Sequence, residues 1–326
     1  METSPRIAVL LPCYNEGPAI PFVVKAFRDV LPHATIYVCD NNSTDNTANI
    51  AATAGATVLH EPKQGKGNVV LRMFADIEAD IYVMADGDGT YDAASAPCMI
   101  DQLINRNLDM IVGVRKSAGG REYPSGHVLG NQMFTRIVDI LFGSGIGDVF
   151  SGYRVMSRRF VKSFPSLSSG FEIEMMLNVH ALELKLPIGE YDTTYTIRTE
   201  GTESKLRTFK DGFHILGNTL LLFKETYPFR FFSFFALSLF LMSMMIGLPV
   251  ILEFFNTGYV SRVPSAILAS GLSILGAISL TSGTILHSIG RNRLEQKRAN
   301  YLKFPLYSKS LGLRQQHTEI TQHAHG

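Results

Sequence analysis

Two stretches of this 326-residue chain carry no Asp, Glu, Lys or Arg: Phe231–Leu252 (FFSFFALSLFLMSMMIGLPVIL) and Val263–Ile289 (VPSAILASGLSILGAISLTSGTILHSI). A helix rises 1.5 Å per residue, so about 20 such residues cross the ~30 Å hydrocarbon core of a bilayer. The second stretch is rich in Gly, Ala, Ser and Thr, small residues that let membrane helices pack closely. A two-span hairpin over residues 231–290 is therefore expected, the alternative being two buried helices of a soluble core. The loop between the stretches holds one cation, Arg262, whereas Lys224 and Arg230 precede the first and Arg291, Arg293, Lys297 and Arg298 follow the second. The positive-inside rule then places both flanks in the cytoplasm. Residues 1–20 lack the basic start and long apolar core of a cleavable signal. The expectation is an integral membrane protein, of bacterial inner-membrane type, with residues 1–230 and the tail cytoplasmic.

Charge divides the chain in the same place. Residues 231–326 carry eight Lys/Arg against three Glu, while residues 1–230 carry 22 Lys/Arg against 26 Asp/Glu. The larger segment is mildly acidic and lacks the basic field that nucleic-acid binding needs. The tail, residues 291–326, is basic, and its last ten residues read as disordered. Cys13, Cys39 and Cys98 match neither a disulfide framework nor a metal spacing and read as core thiols of a reducing compartment.

Residues 6–200 alternate β-rich runs with helical patterns. Strands are expected at Ile7–Leu11, Thr35–Cys39, Ala56–Leu59, Ile81–Ala85 and Met110–Val114, several of them near-continuous Val/Ile/Leu runs suited to burial on both faces. Helical stretches lie near 18–30, 45–54, 67–78 and 94–106, with Asp45 or Thr44 placed to cap the second. This alternation predicts an α/β sandwich with a mostly parallel sheet. Ligands of such sheets sit beyond the carboxyl ends of the strands. Those ends carry Tyr14-Asn15-Glu16, Asp40-Asn41-Asn42, Asp86-Gly87-Asp88 and Arg115.

Asp86-Gly87-Asp88 follows the apolar run IYVMA, and two carboxylates flanking a glycine can turn toward one hard cation. Carboxylates with diphosphate oxygens suit Mg²⁺ or Mn²⁺. A surface turn of the same composition is the alternative. A calcium-binding EF-hand loop is excluded, because Tyr91 and Pro97 stand where Gly and Glu are required. Neither the phosphate-binding GxxxxGK[ST] nor the dinucleotide GxGxxG pattern is present.

Taken in order, VLLPCYNE (9–16), DNNSTDNT (40–47), KQGKGN (63–68) and ADGDG (85–89) resemble the family 2 glycosyltransferases of GT-A fold, over roughly residues 5–205. With Asp148-Val-Phe-Ser-Gly-Tyr-Arg154, a helix at Phe171-Glu-Ile-Glu174 and two C-terminal spans, the chain looks most like the polyprenyl-phosphate glycosyltransferases. The resemblance implies a GT-A catalytic domain (1–205), an amphipathic juxtamembrane helix (206–230), the hairpin and the tail. It implies inverting transfer from a UDP- or GDP-linked nucleotide sugar to polyprenyl phosphate at the cytoplasmic face. Pro12, Tyr14, Asn15 and Glu16 would line the nucleotide, Asp40 would hold base or ribose, and Lys66 would serve the donor. Asp86 would face ribose and metal, and Asp88 would be the main metal ligand. Relatives often carry Gln or Ser where this chain has Thr90, so the third ligand stays open.

Asp148 is expected to orient or assist the acceptor, a loop-capping carboxylate being the alternative. Arg115, Arg121, Arg154, Arg198 and Lys205 are phosphate-binding candidates, the last two matching an Arg…Gly-x-x-Ser-Lys stretch of the family. Of Glu172 and Glu174, two apart on a helix, at most one is expected to reach the site. Gly126–Gly143 has an apolar i, i+4 row (Leu129, Met133, Ile137, Leu141) with Asn131 and Arg136 on other faces. Such a helix suits the headgroup layer, where Arg136 could pair with lipid phosphate, or it packs on the sheet. A second amphipathic stretch, Phe209–Tyr227, leads into the first span. A processive polysaccharide synthase is excluded, because its QxxRW motif needs a Trp and this chain has none. A silent nucleotide-sugar-binding scaffold, or transfer to another lipid or glycan acceptor, remains as the rival. The small-residue second span permits packing between protomers of a homo-oligomer.

Overall fold

The computed structural model describes residues 4–117, 145–165, 173–195, 217 and 220–307. The described residues fall into two compact units: those up to 195 together with 297–307, and those from 217 to 296.

The first unit is built on a seven-stranded sheet in the order β3-β2-β1-β4-β6-β5-β7. Its strands are β1 (Ile7–Cys13), β2 (Thr35–Asp40), β3 (Thr57–His60), β4 (Ile81–Met84), β5 (Met110–Ser117), β6 (Arg154–Ser157) and β7 (Ile188–Tyr195). All neighbours pair in parallel except β6, which runs against both β4 and β5. The mostly parallel α/β sheet expected from the sequence is thus observed, and the five expected strands are present within two or three residues. β6 and β7 were not anticipated. Four residues are too few to show alternation, and β7 is an edge strand with mixed exposure.

Helices α1 (Ile20–Val30), α2 (Thr47–Thr53), α3 (Lys66–Asp76), α4 (Ala96–Asn105), α5 (Arg158–Ser163) and α6 (Ile173–Glu183) connect these strands. α1 buries Ile20, Val23, Val24 and Phe27, the i, i+3, i+4, i+7 stripe that faces a sheet. Pro21 fits its first turn, where a missing N–H costs nothing. At the start of α2 the N-cap is Asn46, without a side-chain cap bond, instead of the expected Asp45 or Thr44; Asp45, one residue earlier, accepts from the Thr47 N–H at 3.0 Å. Strands β1 and β4 are buried on both faces, as continuous apolar runs require. Cys13 and Cys39 are buried thiols, but Cys98 is exposed on α4, against the expectation of a core position.

The register positions the site. β1 and β2 pair from Ala8–Thr35 to Cys13–Asp40, so their carboxyl ends finish level. Antiparallel β6 sets its first residue, Arg154, opposite Met84, which brings Ser151-Gly152 beside the turn after β4. Residues 297–304 also belong to this unit. Lys297 pairs with Glu183 at 2.5 Å, and the Tyr301 hydroxyl donates to buried Asp109 at 2.9 Å. Arg159 and Arg158 lie over the rings of Tyr301 and Phe304.

The second unit is built mainly on α7 (Pro228–Thr257) and most of α8 (Val263–Leu302), both long and apolar enough to cross a membrane, with residues 220–226 helical before α7. α8 continues past the expected limit at Ile289. Small residues make the contact between the two helices: Gly276 lies against the Phe240 ring, and the Ser243 hydroxyl donates to the Ala269 carbonyl at 2.7 Å.

Candidate active site

The turns after β1 and β2 are stitched together. The Asn15 N–H donates to Ser43 Oγ at 2.9 Å, and Asn15 Oδ1 accepts from the Thr44 N–H at 2.8 Å. The Glu16 and Gly17 amides donate to Thr47 Oγ1 and Asp45 Oδ2 at 3.0 and 3.1 Å. Asn15 and Asn42 have φ of 54° and 59°, a region that Asn tolerates better than other side chains. Asn41 ties in the third motif: its Oδ1 accepts from the Gly65 N–H at 2.8 Å, and its Nδ2 donates to the Glu61 and Lys63 carbonyls. Pro12 is buried, and Tyr14, Asn15 and Glu16 are half-buried around this edge. Asp40 is buried at the end of β2, where Oδ2 accepts from the Ser43 N–H. Its Oδ1 is buried without a hydrogen-bond partner among the described residues.

The turn after β4 holds the two aspartates. A Cβ on Gly87 would stand 2.4 Å from Cys13 Sγ, so only glycine fits between them. Asp88 is buried, and its Oδ1 accepts from the Thr90 hydroxyl at 2.6 Å and the Thr90 N–H at 3.1 Å. Thr90, which stands where the third ligand was left open, thus donates its hydroxyl hydrogen to Asp88 and orients that carboxylate. Asp86 Oδ1 accepts from Lys66 Nζ at 2.5 Å, and Lys66 also donates to Glu174 Oε1 at 2.5 Å. Burial works against the Lys66 charge, but the two carboxylates raise the ammonium well above the ordinary lysine value. Gly152 borders this group, since a Cβ there would come within 2.9 Å of Asp86 and 3.1 Å of Lys66.

On the β5 side, Arg115 grips buried Asp148 and lies 5.6 Å from the centre of the Tyr195 ring. Burial opposes the Arg115 charge, and the bonds to Asp148 overcome it and raise the guanidinium above its usual value. Arg154 departs from the expectation of a phosphate contact. It has no exposed surface and donates to the Ser151 and Val149 carbonyls and to Asn178 Oδ1. Burial pushes it down to about 10. As the first residue of β6 it faces inward, where it braces the loop carrying Asp148.

The structure thus brings Pro12, Tyr14, Asn15, Glu16, Asp40, Lys66, Asp86 and Asp88 to the carboxyl edge of the sheet, with Arg115 and Asp148 paired at the end of β5. Arg121, Asn131, Arg136, Glu172, Arg198, Lys205 and the helix expected over 126–143 lie outside the described residues, as does much of 209–227. Sequence reasoning left Glu174 undecided and passed over Asn41, Gly152 and Asn178. Asn41 sat inside a quoted motif, and Gly152 between Asp148 and Arg154, so only the Asn178 contact had no local signal. Among the described residues, no cluster of three or more His, Cys, Asp or Glu could hold a metal.

Residues 8–164 match the family model described as glycosyl transferase family 2. Protein RfbJ of Shigella flexneri is 57% identical over 128 residues, 39% of this chain and 99% of that protein. Glycosyltransferase AglJ of Haloferax volcanii is 33% identical over 218 residues, 65% of this chain and 70% of that protein. A dolichyl-phosphate hexose transferase of the same organism is 28% identical over 172 residues, 52% of this chain and 75% of that protein. Glucosyl-3-phosphoglycerate synthase of Mycobacterium tuberculosis, crystallised with Mn²⁺, UDP and glucosyl-3-phosphoglycerate, superposes with a TM-score of 0.55 at 20% identity, covering 68% of this chain and 81% of that one. That likeness is one of fold, the GT-A arrangement of the sheet.

Proposed function

The chain belongs to glycosyl transferase family 2, and on that premise we propose that it moves a sugar, with inversion, from a UDP- or GDP-linked donor to polyprenyl phosphate at the cytoplasmic membrane face. One observation carries the reading: Asp40, Lys66, Asp86 and Asp88 gather at the carboxyl edge of the sheet, in a chain with two helices able to cross a bilayer. The relative acting on dolichyl phosphate supports the acceptor class, and the Mn²⁺- and UDP-bound neighbour supports the donor and metal.

The donor set fits a hard divalent cation. Asp86 and Asp88 offer carboxylate oxygens from one turn, and the diphosphate oxygens of a donor would complete the shell, as Mg²⁺ and Mn²⁺ prefer. Bound there, the ion would supply Lewis-acid stabilisation of the leaving diphosphate. Lys66 and Arg115 add fixed positive charge of the same kind. The unpartnered Asp40 Oδ1 accepts from the base or ribose, with Pro12, Tyr14, Asn15 and Glu16 around the nucleotide. Asp148 orients the acceptor. A phosphate monoester with a second pKa near ~6 is largely dianionic at pH 7 and attacks without a strong general base. Arg121, Asn131 and Arg136 hold the acceptor phosphate, while Arg198 and Lys205 bind the donor. Arg154 serves as a positioning residue.

The test is transfer by the purified full-length protein, with polyprenyl phosphate and Mg²⁺ or Mn²⁺, from labelled UDP-glucose, UDP-galactose, UDP-N-acetylglucosamine or GDP-mannose. One donor yielding a metal-dependent lipid-linked product, abolished in Asp88→Ala, is the expected result. Nucleotide release without lipid product would overturn the acceptor, and donor binding without turnover would make the chain a silent binder.

A further inference from the structure

Lys66 Nζ stands 2.5 Å from Asp86 Oδ1 and 2.5 Å from Glu174 Oε1. The three groups arrive from the first turn of α3, the turn after β4 and the first turn of α6, with Lys66 and Glu174 108 positions apart in sequence. An ammonium serving only a diphosphate has no need of two carboxylates, one of them the Asp86 carboxylate that fits a divalent ion. Its position on Asp86 is that of a counter-ion. The bare Cα of Gly152 keeps space open beside both the Asp86 oxygens and Lys66 Nζ. Glu174 is buried and cannot follow a departing charge into solvent.

We infer that Lys66 is the resident cation of the Asp86 carboxylate, which it gives up to the divalent ion while Glu174 retains the ammonium in the site. The inference rests on the metal reading proposed above and deepens it. A like charge cannot share the carboxylate without strong repulsion, so Lys66 opposes metal binding at Asp86. A donor diphosphate offers the displaced ammonium a second anion, and nucleotide and metal therefore enter together. Glu174 acts through Lys66 and is a positioning residue.

The experiment is titration of the full-length protein in detergent with Mn²⁺ alone, reading free Mn²⁺ by electron paramagnetic resonance. Lys66→Met should bind Mn²⁺ roughly tenfold or more tightly than wild type, the scale on which one adjacent charge shifts ion binding. The gain should survive ~1 M KCl, where the Debye length is about 3 Å and distant charges are screened. Lys66→Met/Glu174→Gln, which removes the surplus carboxylate too, should still bind Mn²⁺ more tightly than wild type, by less than the single variant because a nearby negative charge is also lost, and carries the test if the single variant does not fold. An unchanged affinity, or a gain lost at high salt, overturns the resident cation if Asp88→Ala still abolishes Mn²⁺ binding. If Asp88→Ala binds Mn²⁺ as wild type does, the metal reading itself has failed.

Discussion

Arg115 holds Asp148 through two parallel hydrogen bonds, 2.7 Å from Nε to Oδ2 and 2.8 Å from Nη2 to Oδ1. This fork-to-fork geometry is the strongest form of the ion pair. It joins the end of β5 to the loop before β6, which Arg154 braces from below. Asp148 can meet an acceptor only in company with Arg115, or by exchanging it for a ligand.

Removing one partner of a buried pair leaves an uncompensated charge. Arg115→Met should lower stability by about 3 kcal/mol, and Arg115→Met/Asp148→Asn should recover most of that loss. Thermal unfolding followed by circular dichroism measures both; a single variant as stable as wild type would show that the pair contributes nothing.

Gly87→Ala places a methyl 2.4 Å from Cys13 Sγ and must displace the Asp86–Asp88 turn. Turnover should fall by roughly a hundredfold, the usual scale for misplacing a catalytic group by about 1 Å. Cys13→Ala removes the obstructing sulfur, leaving the next atoms 3.6 Å away or more, so Gly87→Ala/Cys13→Ala should recover activity. Failure of that rescue would mean that the contact is not what excludes a side chain.

His180 is buried between the edges of Phe160 and Phe164, 3.0 Å from Ser163 Oγ, with Nδ1 lacking a hydrogen-bond partner among the described residues. Burial, assisted by the Lys297 charge, pushes it down to about 3. Above pH ~6.5 it is neutral in both folded and unfolded chains and contributes no pH dependence. As pH falls below that, only the unfolded chain takes up the proton, so stability drops, by about 2 kcal/mol at pH 5. His180→Leu should flatten the profile over this window in denaturant titrations, and an unaltered slope would assign the acid sensitivity elsewhere.

Arg136 is proposed to pair with the acceptor phosphate. Arg136→Ala should raise the lipid requirement about tenfold, the loss of one charge-assisted bond, with the donor KM nearly unchanged. A donor effect larger than the lipid effect would contradict the role.

Much of the sheet was legible because continuous apolar runs such as IAVLLPC and IYVM need no partner to declare themselves. β6 was not, since RVMS begins with an arginine whose burial depends on Asn178 and the loop carbonyls around it. The site motifs were legible where they follow strand ends, as Asp40 and Asp86 do. Glu174 could not be chosen over Glu172 by helical spacing alone, because spacing relates faces of one helix and not the lysine of another.

The sequence by itself determined the two apolar helices, the strand cores and the polar turns beyond them, because hydrophobic length and local periodicity are properties of neighbouring residues. Only the tertiary structure decided which charges meet: Lys66 with Glu174, Arg115 with Asp148, Tyr301 with Asp109, and Arg154 with the protein interior. These pairings join residues 24 to 192 positions apart. Pattern along the chain carries no term for them; sheet register and helix packing set which side chains come within hydrogen-bond reach.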